Sequence, residues 1–293
     1  MRSSRAVLLA GVVLFLCAAG SVAFLTLHKQ SPAPASVEPQ PYVPTEQTIG
    51  TSVQGRAITA YTYGSGPTDL LFVGGMHGGY EWNSVLLAYQ FMDYVAQNPS
   101  VIPANVRVTV IPSLNPDGVY KVVGKEGRFA ASDASTSTAV LASGRFNAHG
   151  VDLNRNFDCK WKSESTWQGR IVSAGTAAFS EPEAAALRSF VVQEKPVAAV
   201  FWHSKANAVY ASECKEGILP GTRVIMNAYA HAAAYPTVDV FDAYPITGDA
   251  EGWLASIHIP AITVELQTHE TVEWDRNWAG ITAVLAYYAG LGR

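Results

Sequence analysis

The residues best suited to chemistry in this sequence are histidines and glutamates that end or interrupt apolar segments. His77 and Glu81 follow one apolar run, His203 follows a second, and Glu265 lies inside a third. Two imidazoles and a carboxylate form a catalytic zinc set that leaves one position for water. A buried carboxylate needs a reason, and a general base acting on a zinc-bound water supplies one. Each residue alone is more often structural, so the prediction rests on their coincidence.

A polar segment at residues 146–157 supplies a second group of candidates. It contains Asn154 beside Arg155, and Arg145 directly precedes it. A planar guanidinium next to an amide suits two-point capture of a carboxylate. The alternative is a turn held by asparagine side chains, with Arg155 as a surface cation.

These residues lie among strand and helix signals that alternate along the chain. Because buried strands alternate with helices, the pattern predicts an α/β fold with helices on both faces of a sheet. Ligands gather beyond the strand ends in such folds. Ser180 at the N-cap and Glu183 three residues later predict a capping box. The predicted strands are residues 57–63, 69–75, 105–111, 196–202 and 260–266, and the predicted helices are residues 81–97, 180–192, 223–234 and 278–291.

The composition and the N-terminal sequence limit the class of protein. The chain has 293 residues, 48% of them hydrophobic and 15% charged, so we expect a sizeable core. The net charge of -4 gives no sign of nucleic-acid binding. Arg2 and Arg5 precede an apolar run at residues 6–27, which is typical of an export signal or of a membrane anchor. We therefore expect a signal peptide or N-terminal membrane anchor at residues 1–29, a Pro- and Ser-rich linker at residues 30–47 and a catalytic domain at residues 48–293.

The cellular compartment determines whether the cysteines are expected to form a disulfide. If the basic residues before the apolar run stay on the cytoplasmic side of the membrane, the domain is exported and is periplasmic or extracellular. If the apolar run at residues 6–27 is retained, it tethers the domain to the membrane. Cys159 and Cys214 lie in this exported domain and are predicted to form a disulfide. The alternative is two independent buried thiols.

An ordered set of motifs runs through the domain. It comprises His77 with Glu81, Asn115-Pro116-Asp117-Gly118, Arg145 with residues 150–157, residues 180–183, His203-Ser204, Tyr244, and residues 263–266. In this set and this order the chain resembles the zinc metallocarboxypeptidases, the carboxypeptidase A-like (M14) group. It looks most similar to the bacterial branch that trims cell-wall peptides. The resemblance implies a three-layer α/β/α fold with a central mixed, twisted sheet.

The resemblance also implies a role for each matching residue. Glu265 would deprotonate the water and pass the proton to the leaving amine. His77, Glu81 and His203 would hold one Zn²⁺ per chain, and Arg145 would polarise the scissile carbonyl. Asn154 and Arg155 would bind the substrate carboxylate, and Tyr244 would cover the substrate.

One departure from the family pattern concerns the first metal motif. The family has His-x-x-Glu, whereas this chain has an additional residue between His77 and Glu81. We expect the two glycines of the motif to absorb the extra residue, so that Glu81 still reaches the metal. The alternative is a two-histidine site or a lost site, and then a non-catalytic peptide-binding pseudo-peptidase.

Specificity is expected to depend on the acids that follow Tyr244. Asp249 and Glu251 fall where the resemblance places the pocket for the terminal side chain. They would favour Lys, Arg or diaminopimelate, and with export they make a peptidoglycan stem peptide the expected substrate. The alternative is that both acids cap the next helix or face solvent.

The sequence therefore predicts a monomeric zinc carboxypeptidase. It leaves open the natural substrate and the choice between exopeptidase and endopeptidase action. A second candidate activity is zinc-dependent deacylation of small N-acyl amino acids.

Overall fold

The computed structural model describes residues 42–291. The predicted signal or anchor segment lies outside the described residues. Within residues 42–291, no helix combines the length and the apolar character needed to cross a membrane.

The core of the fold is a mixed sheet of eight strands with the order β1-β2-β4-β3-β7-β10-β8-β9. Its four central strands are parallel, and antiparallel neighbours flank them on both sides. A separate hairpin is formed by β5 and β6. The strands are β1 Thr45–Thr51, β2 Ala57–Tyr63, β3 Thr68–Val73, β4 Val106–Ile111, β5 Glu164–Trp167, β6 Arg170–Ser173, β7 Ala198–Ser204, β8 Ala208–Ala211, β9 Thr237–Val238 and β10 Ala261–Leu266.

Helices cover both faces of the sheet. One face packs against α1, α2, α5 and α7, and the other packs against α4 and α6. This confirms the three-layer α/β/α arrangement. The helices are α1 Trp82–Gln97, α2 Pro116–Val123, α3 Thr138–Ser143, α4 Pro182–Glu194, α5 Pro220–Ala233, α6 Ala250–Ser256 and α7 Trp274–Leu291.

The central strands are mostly apolar because both of their faces are buried. Along β3, Leu70 and Phe72 point into one hydrophobic cluster, whereas Leu71 and Val73 point into the other. Successive side chains of a strand point to opposite faces, so a continuous apolar run fits this position. The carboxyl ends of the parallel strands β3, β7 and β10 meet at one edge of the sheet.

Two local details differ from the sequence patterns. The predicted capping box is wrong: α4 begins with Pro182, its N-cap is Glu181, and no side chain caps it. Glu183 instead accepts hydrogen bonds from Asn147 and from the backbone of Val53. The first strand begins at Thr45, inside the range predicted as linker.

Candidate metal centre and substrate cleft

Sheet register places two of the predicted site residues side by side. Glu265 of β10 pairs with His203 of β7 in the parallel ladder. Val264 and Leu266 point into the core. Since strand residues alternate between faces, Glu265 points the other way, to the face that carries His203.

A tight turn brings His77 and Glu81 together. Residues Gly78–Glu81 form a single 3-10 turn between β3 and α1. Gly78 has a φ of +48°, and a Cβ there would lie 2.5 Å from the carbonyl oxygen of Gly144. The glycine therefore permits both the backbone conformation and the close approach. The turn absorbs the additional residue, because Glu81 Oε1 lies 2.8 Å from His77 Nδ1.

His203 completes a buried set of three donors. Its Nδ1 lies 3.1 Å from His77 Nδ1 and 3.0 Å from Glu81 Oε2. The ligand atoms of the three residues all lie within 4.8 Å of one another. Two imidazole nitrogens and a carboxylate that converge on one point match the donor chemistry of a catalytic zinc site. The predicted two-histidine alternative does not describe this geometry.

The charges around this set shift two carboxyl groups in opposite directions. Burial opposes ionisation of Glu81, but His77 and His203 outweigh it and hold the pKa of Glu81 below its usual value. Burial, together with the charge of Glu81, raises the pKa of Glu265 to about 7. A bound divalent cation would lower the pKa of Glu265 by attraction. Glu265 accepts a hydrogen bond from the backbone of Ala206, at 3.1 Å.

A carboxylate that sequence reasoning gave no role connects His77 to Arg145. Asp152 Oδ1 lies 3.4 Å from His77 Nε2. The other oxygen of Asp152 accepts a hydrogen bond of 2.9 Å from Arg145 Nε and forms an ion pair with Arg145 Nη2, at 2.8 Å. Arg145 is 3% exposed, and its guanidinium points toward Glu81 at 3.7 Å. Asp152 lies within the polar segment, but its spacing alone did not distinguish it from a turn residue.

A second carboxylate lies behind His203. Glu251 Oε1 is 3.3 Å from His203 Nε2 and accepts a hydrogen bond of 2.9 Å from Thr263. Burial disfavours the charge on Glu251, yet its contact with His203 lowers the pKa of Glu251 overall. Glu251 is 2% exposed, so it does not face solvent.

Asp249 caps the helix that carries Glu251 and also lines the cleft. Its carboxylate accepts a hydrogen bond of 2.6 Å from the backbone of Gly252. The helix-cap alternative therefore describes Asp249. Burial, followed by repulsion from Glu251, raises the pKa of Asp249 to about 6.

The predicted carboxylate-binding residues lie at the same end of the cleft as Asp249. Arg155 is 2% exposed and donates a hydrogen bond of 2.6 Å to the backbone of Asn154, so it is not a surface cation. The Asn154 side chain accepts a hydrogen bond from the backbone of Ala250, at 2.9 Å. The Arg155 guanidinium lies 6.0 Å from the ring of Tyr244.

Aromatic rings and a lysine also line the cleft. The Tyr80 ring centroid lies 5.2 Å from that of Trp167 and 4.6 Å from that of His269. His269 is held by Ser204, at 2.7 Å. Lys205 lines the cleft here, and its side chain makes no ion pair within residues 42–291. Sequence reasoning missed Trp167 and Lys205, because neither belongs to a motif.

These groups line one cleft with a volume of about 410 Å³. The predicted disulfide between Cys159 and Cys214 is present. It joins the segment after Arg155 to the segment after β8, and Cys159 lines the cleft. The bridge therefore ties together two parts of the cleft wall.

The fold and the buried set of two histidines and a glutamate define an α/β protein with a candidate metal centre at the carboxyl ends of its parallel strands. The family model described as zinc carboxypeptidase matches residues 37–274. The chain belongs to this zinc carboxypeptidase family, which confirms the predicted M14 resemblance and the prediction of zinc as cofactor.

Similar proteins include both animal and bacterial enzymes. Human carboxypeptidase Z is 34% identical over 122 residues, which are 37% of this chain and 17% of the relative. Gamma-D-glutamyl-L-diamino acid endopeptidase 1 of Lysinibacillus sphaericus is 22% identical over 239 residues, which are 74% of this chain and 59% of the relative. The chain thus spans less than two thirds of the length of these curated relatives.

Solved structures share the fold at low sequence identity. Murein-tripeptide amidase MpaA from Escherichia coli O157 has a TM-score of 0.61 and 22% identity, over 83% of this chain and 92% of that chain. Bovine thrombin-activatable fibrinolysis inhibitor, in complex with tick carboxypeptidase inhibitor, has a TM-score of 0.65 and 18% identity, over 86% of this chain and 92% of that chain.

Proposed function

We propose that this protein is a zinc-dependent peptidase that hydrolyses a peptide bond at or near a free C-terminal carboxylate. The observation that carries this proposal is that three kinds of group line one cleft. These are the buried set of His77, Glu81 and His203, the carboxylate of Glu265 beside it, and the buried Arg155 with its neighbouring Asn154. Their presence in one cleft suits a substrate whose scissile bond lies close to a terminal carboxylate.

The metal would be held by His77, Glu81 and His203. When bound, zinc supplies Lewis acidity that polarises the scissile carbonyl and makes water acidic enough to act near neutral pH. The donor set fits this ion, because all three donors are buried and converge.

Glu265 is the general base. Its carboxylate lies beside the donor set, where it takes the proton of the attacking water and then delivers it to the leaving amine. Burial raises the pKa of Glu265 and a bound cation lowers it, so the carboxylate can accept a proton from water and return it to the leaving amine. Arg145, held by Asp152, stabilises the negative charge that develops on the carbonyl oxygen.

The substrate carboxylate binds at the Arg155 end. The guanidinium and the amide of Asn154 provide charge-assisted hydrogen bonds with fixed geometry. Tyr244 lies over this end and covers the bound substrate. A peptide with an amidated C-terminus lacks the charge that Arg155 requires, so it should bind poorly.

The terminal side chain is proposed to carry an amine. Asp249 and Glu251 both line the cleft at the carboxylate-binding end. Negative charge in a buried pocket favours a cation, so Lys, Arg and the distal amine of diaminopimelate are the expected side chains.

The substrate class that we propose is a cell-wall stem peptide. Lys205 follows His203-Ser204 in the chain, lines the cleft and makes no ion pair within residues 42–291, so we propose that its ammonium group binds an anion on the acyl side of the scissile bond. A γ-linked glutamyl residue at that position keeps a free α-carboxylate that a lysine can bind. The names of the bacterial endopeptidase and amidase reported above include γ-glutamyl and murein substrates, which supports the same class. We also propose that the protein is an exported monomer, either tethered to the membrane or released from it. The disulfide between Cys159 and Cys214 supports an oxidising compartment.

The test uses purified full-length chain loaded with zinc. Peptides ending in Lys, Phe or diaminopimelate are compared with the same peptides carrying C-terminal amides. We expect cleavage of the free acids, a preference for the amine-bearing ends and a loss of at least tenfold on amidation. Equal cleavage of amidated peptides would refute carboxylate recognition.

Three further outcomes separate the alternatives. Hydrolysis of N-acyl amino acids without any peptide cleavage would assign a deacylase. A chain that binds no zinc and cleaves nothing would be a pseudo-peptidase. Amidation of the γ-glutamyl α-carboxylate should reduce cleavage by the wild type but not by Lys205→Met. The control is Lys160→Met, which removes a lysine that pairs with Glu213. This control should respond to amidation as the wild type does.

A further inference from the structure

Both metal-binding histidines have a carboxylate behind them. In each ring Nδ1 faces the donor set, whereas Nε2 faces away from it. His77 Nε2 lies 3.4 Å from Asp152, and His203 Nε2 lies 3.3 Å from Glu251. The two carboxylates come from different parts of the chain, so the arrangement is not a consequence of local sequence.

The arrangement has a chemical consequence for the tautomer of each ring. An imidazole that binds a metal through Nδ1 must carry its proton on Nε2. A carboxylate within reach of Nε2 favours that tautomer, fixes the ring orientation and makes Nδ1 a better donor. Glu251 meets these requirements at His203, because it is buried and its Oε1 is held in place by Thr263.

Glu251 lines the cleft, and an acid in this position could also select the side chain of the substrate. Its neighbour Asp249 also lines the cleft, but no ion pair joins Asp249 to a cation within residues 42–291. The charge of Glu251 is therefore engaged by His203, whereas the charge of Asp249 remains available to a substrate.

We infer that Glu251 is a positioning residue for His203 that sets the affinity of the metal site, and that Asp249 alone selects the substrate side chain. This division of roles concerns two acids that lie two positions apart in the sequence. The Glu251 part rests on the metal site only, whereas the Asp249 part rests on the proposed function.

The experiment compares Glu251→Gln with Asp249→Asn, which removes a carboxylate charge two residues earlier in the sequence. Zinc Kd is measured by chelator competition on the full-length chain. We expect Glu251→Gln to weaken zinc binding roughly 10- to 100-fold, as is typical when a partner of a ligating histidine is lost. Asp249→Asn should leave the zinc Kd within about twofold.

Substrate selection provides the second readout. At saturating zinc, Glu251→Gln should keep the wild-type ratio of kcat/KM for Lys-ending over Phe-ending peptides, whereas Asp249→Asn should abolish the preference. An unchanged zinc Kd in Glu251→Gln overturns the positioning role. A changed kcat/KM ratio together with normal zinc affinity would show that Glu251 selects the substrate side chain instead. Glu251→Ala, with Tm measured in parallel, separates metal loss from misfolding. If no peptide is cleaved, the proposed function fails, while the zinc measurement still decides the role of Glu251.

Discussion

Preference for an amine-bearing side chain should fall as the pH falls through the pKa of Asp249. Burial raises this pKa from 3.8 to about 6, so the carboxylate loses its charge at a higher pH than an ordinary aspartate does. The sign follows directly: the ionised form attracts the amine, and the protonated form does not. Selection for Lys over Phe should therefore be complete above the pKa and lost below it.

The size of the effect follows from the ionised fraction of Asp249. With a pKa of about 6, about 99% of the molecules carry the charge at pH 8 and about 9% carry it at pH 5. The preference for Lys over Phe should thus fall roughly 11-fold between these pH values. An aspartate with its ordinary pKa would lose less than about a tenth of its charge over the same range.

The assay measures kcat/KM for two peptides that differ only in a terminal Lys or Phe. Their ratio cancels the pH dependence of Glu265 and of the metal site, because both substrates use the same chemistry. The matched variant Asp249→Asn should give a low ratio that does not change with pH. A constant wild-type ratio from pH 8 to pH 5, or a wild-type ratio in Asp249→Asn, would refute the reasoning.

Three other perturbations test separate parts of the site. Glu265→Gln should lower kcat by roughly 10²- to 10⁴-fold while zinc remains bound, as measured by metal analysis beside peptide cleavage; normal turnover would exclude Glu265 as the base. Arg155→Ala should raise KM for free-acid peptides by roughly 10- to 100-fold and leave the zinc Kd unchanged, whereas loss of zinc would indicate a structural role. Replacing Cys159 and Cys214 by Ser should cost about 4 kcal/mol of unfolding free energy, since the bridge closes a loop with a sequence separation of 55. Urea unfolding measures this cost, and an unchanged midpoint would contradict it.

Residues that chemistry or sheet geometry constrains could be predicted from the sequence. His77, Glu81 and His203 stand out because few buried sites tolerate such side chains without a partner. The apolar runs around Glu265 predicted a strand, and the ends of parallel strands are where sites form.

The relationships between loops could not be predicted in the same way. Asp152 lies in a polar segment where many turns also place aspartate, and nothing in its spacing reveals that it contacts both His77 and Arg145. The cap of α4 was misassigned because the backbone enters the helix one residue after Ser180. Glu251 fits a sequence pattern for substrate selection, whereas its contact with His203 depends on how α6 packs against β10, the neighbour of β7.

The in-register pairing of Glu265 with His203 separates the parts of this protein whose length can change from those whose length cannot. A one-residue insertion in β10 would turn Glu265 to the opposite face of the sheet, so the reactive pair tolerates no change of length. Asp249 and Tyr244 lie outside the strands, on the segment that precedes α6. A laboratory graft of that segment from a relative should therefore change which terminal side chain is accepted, while the pairing of Glu265 with His203 stays in place.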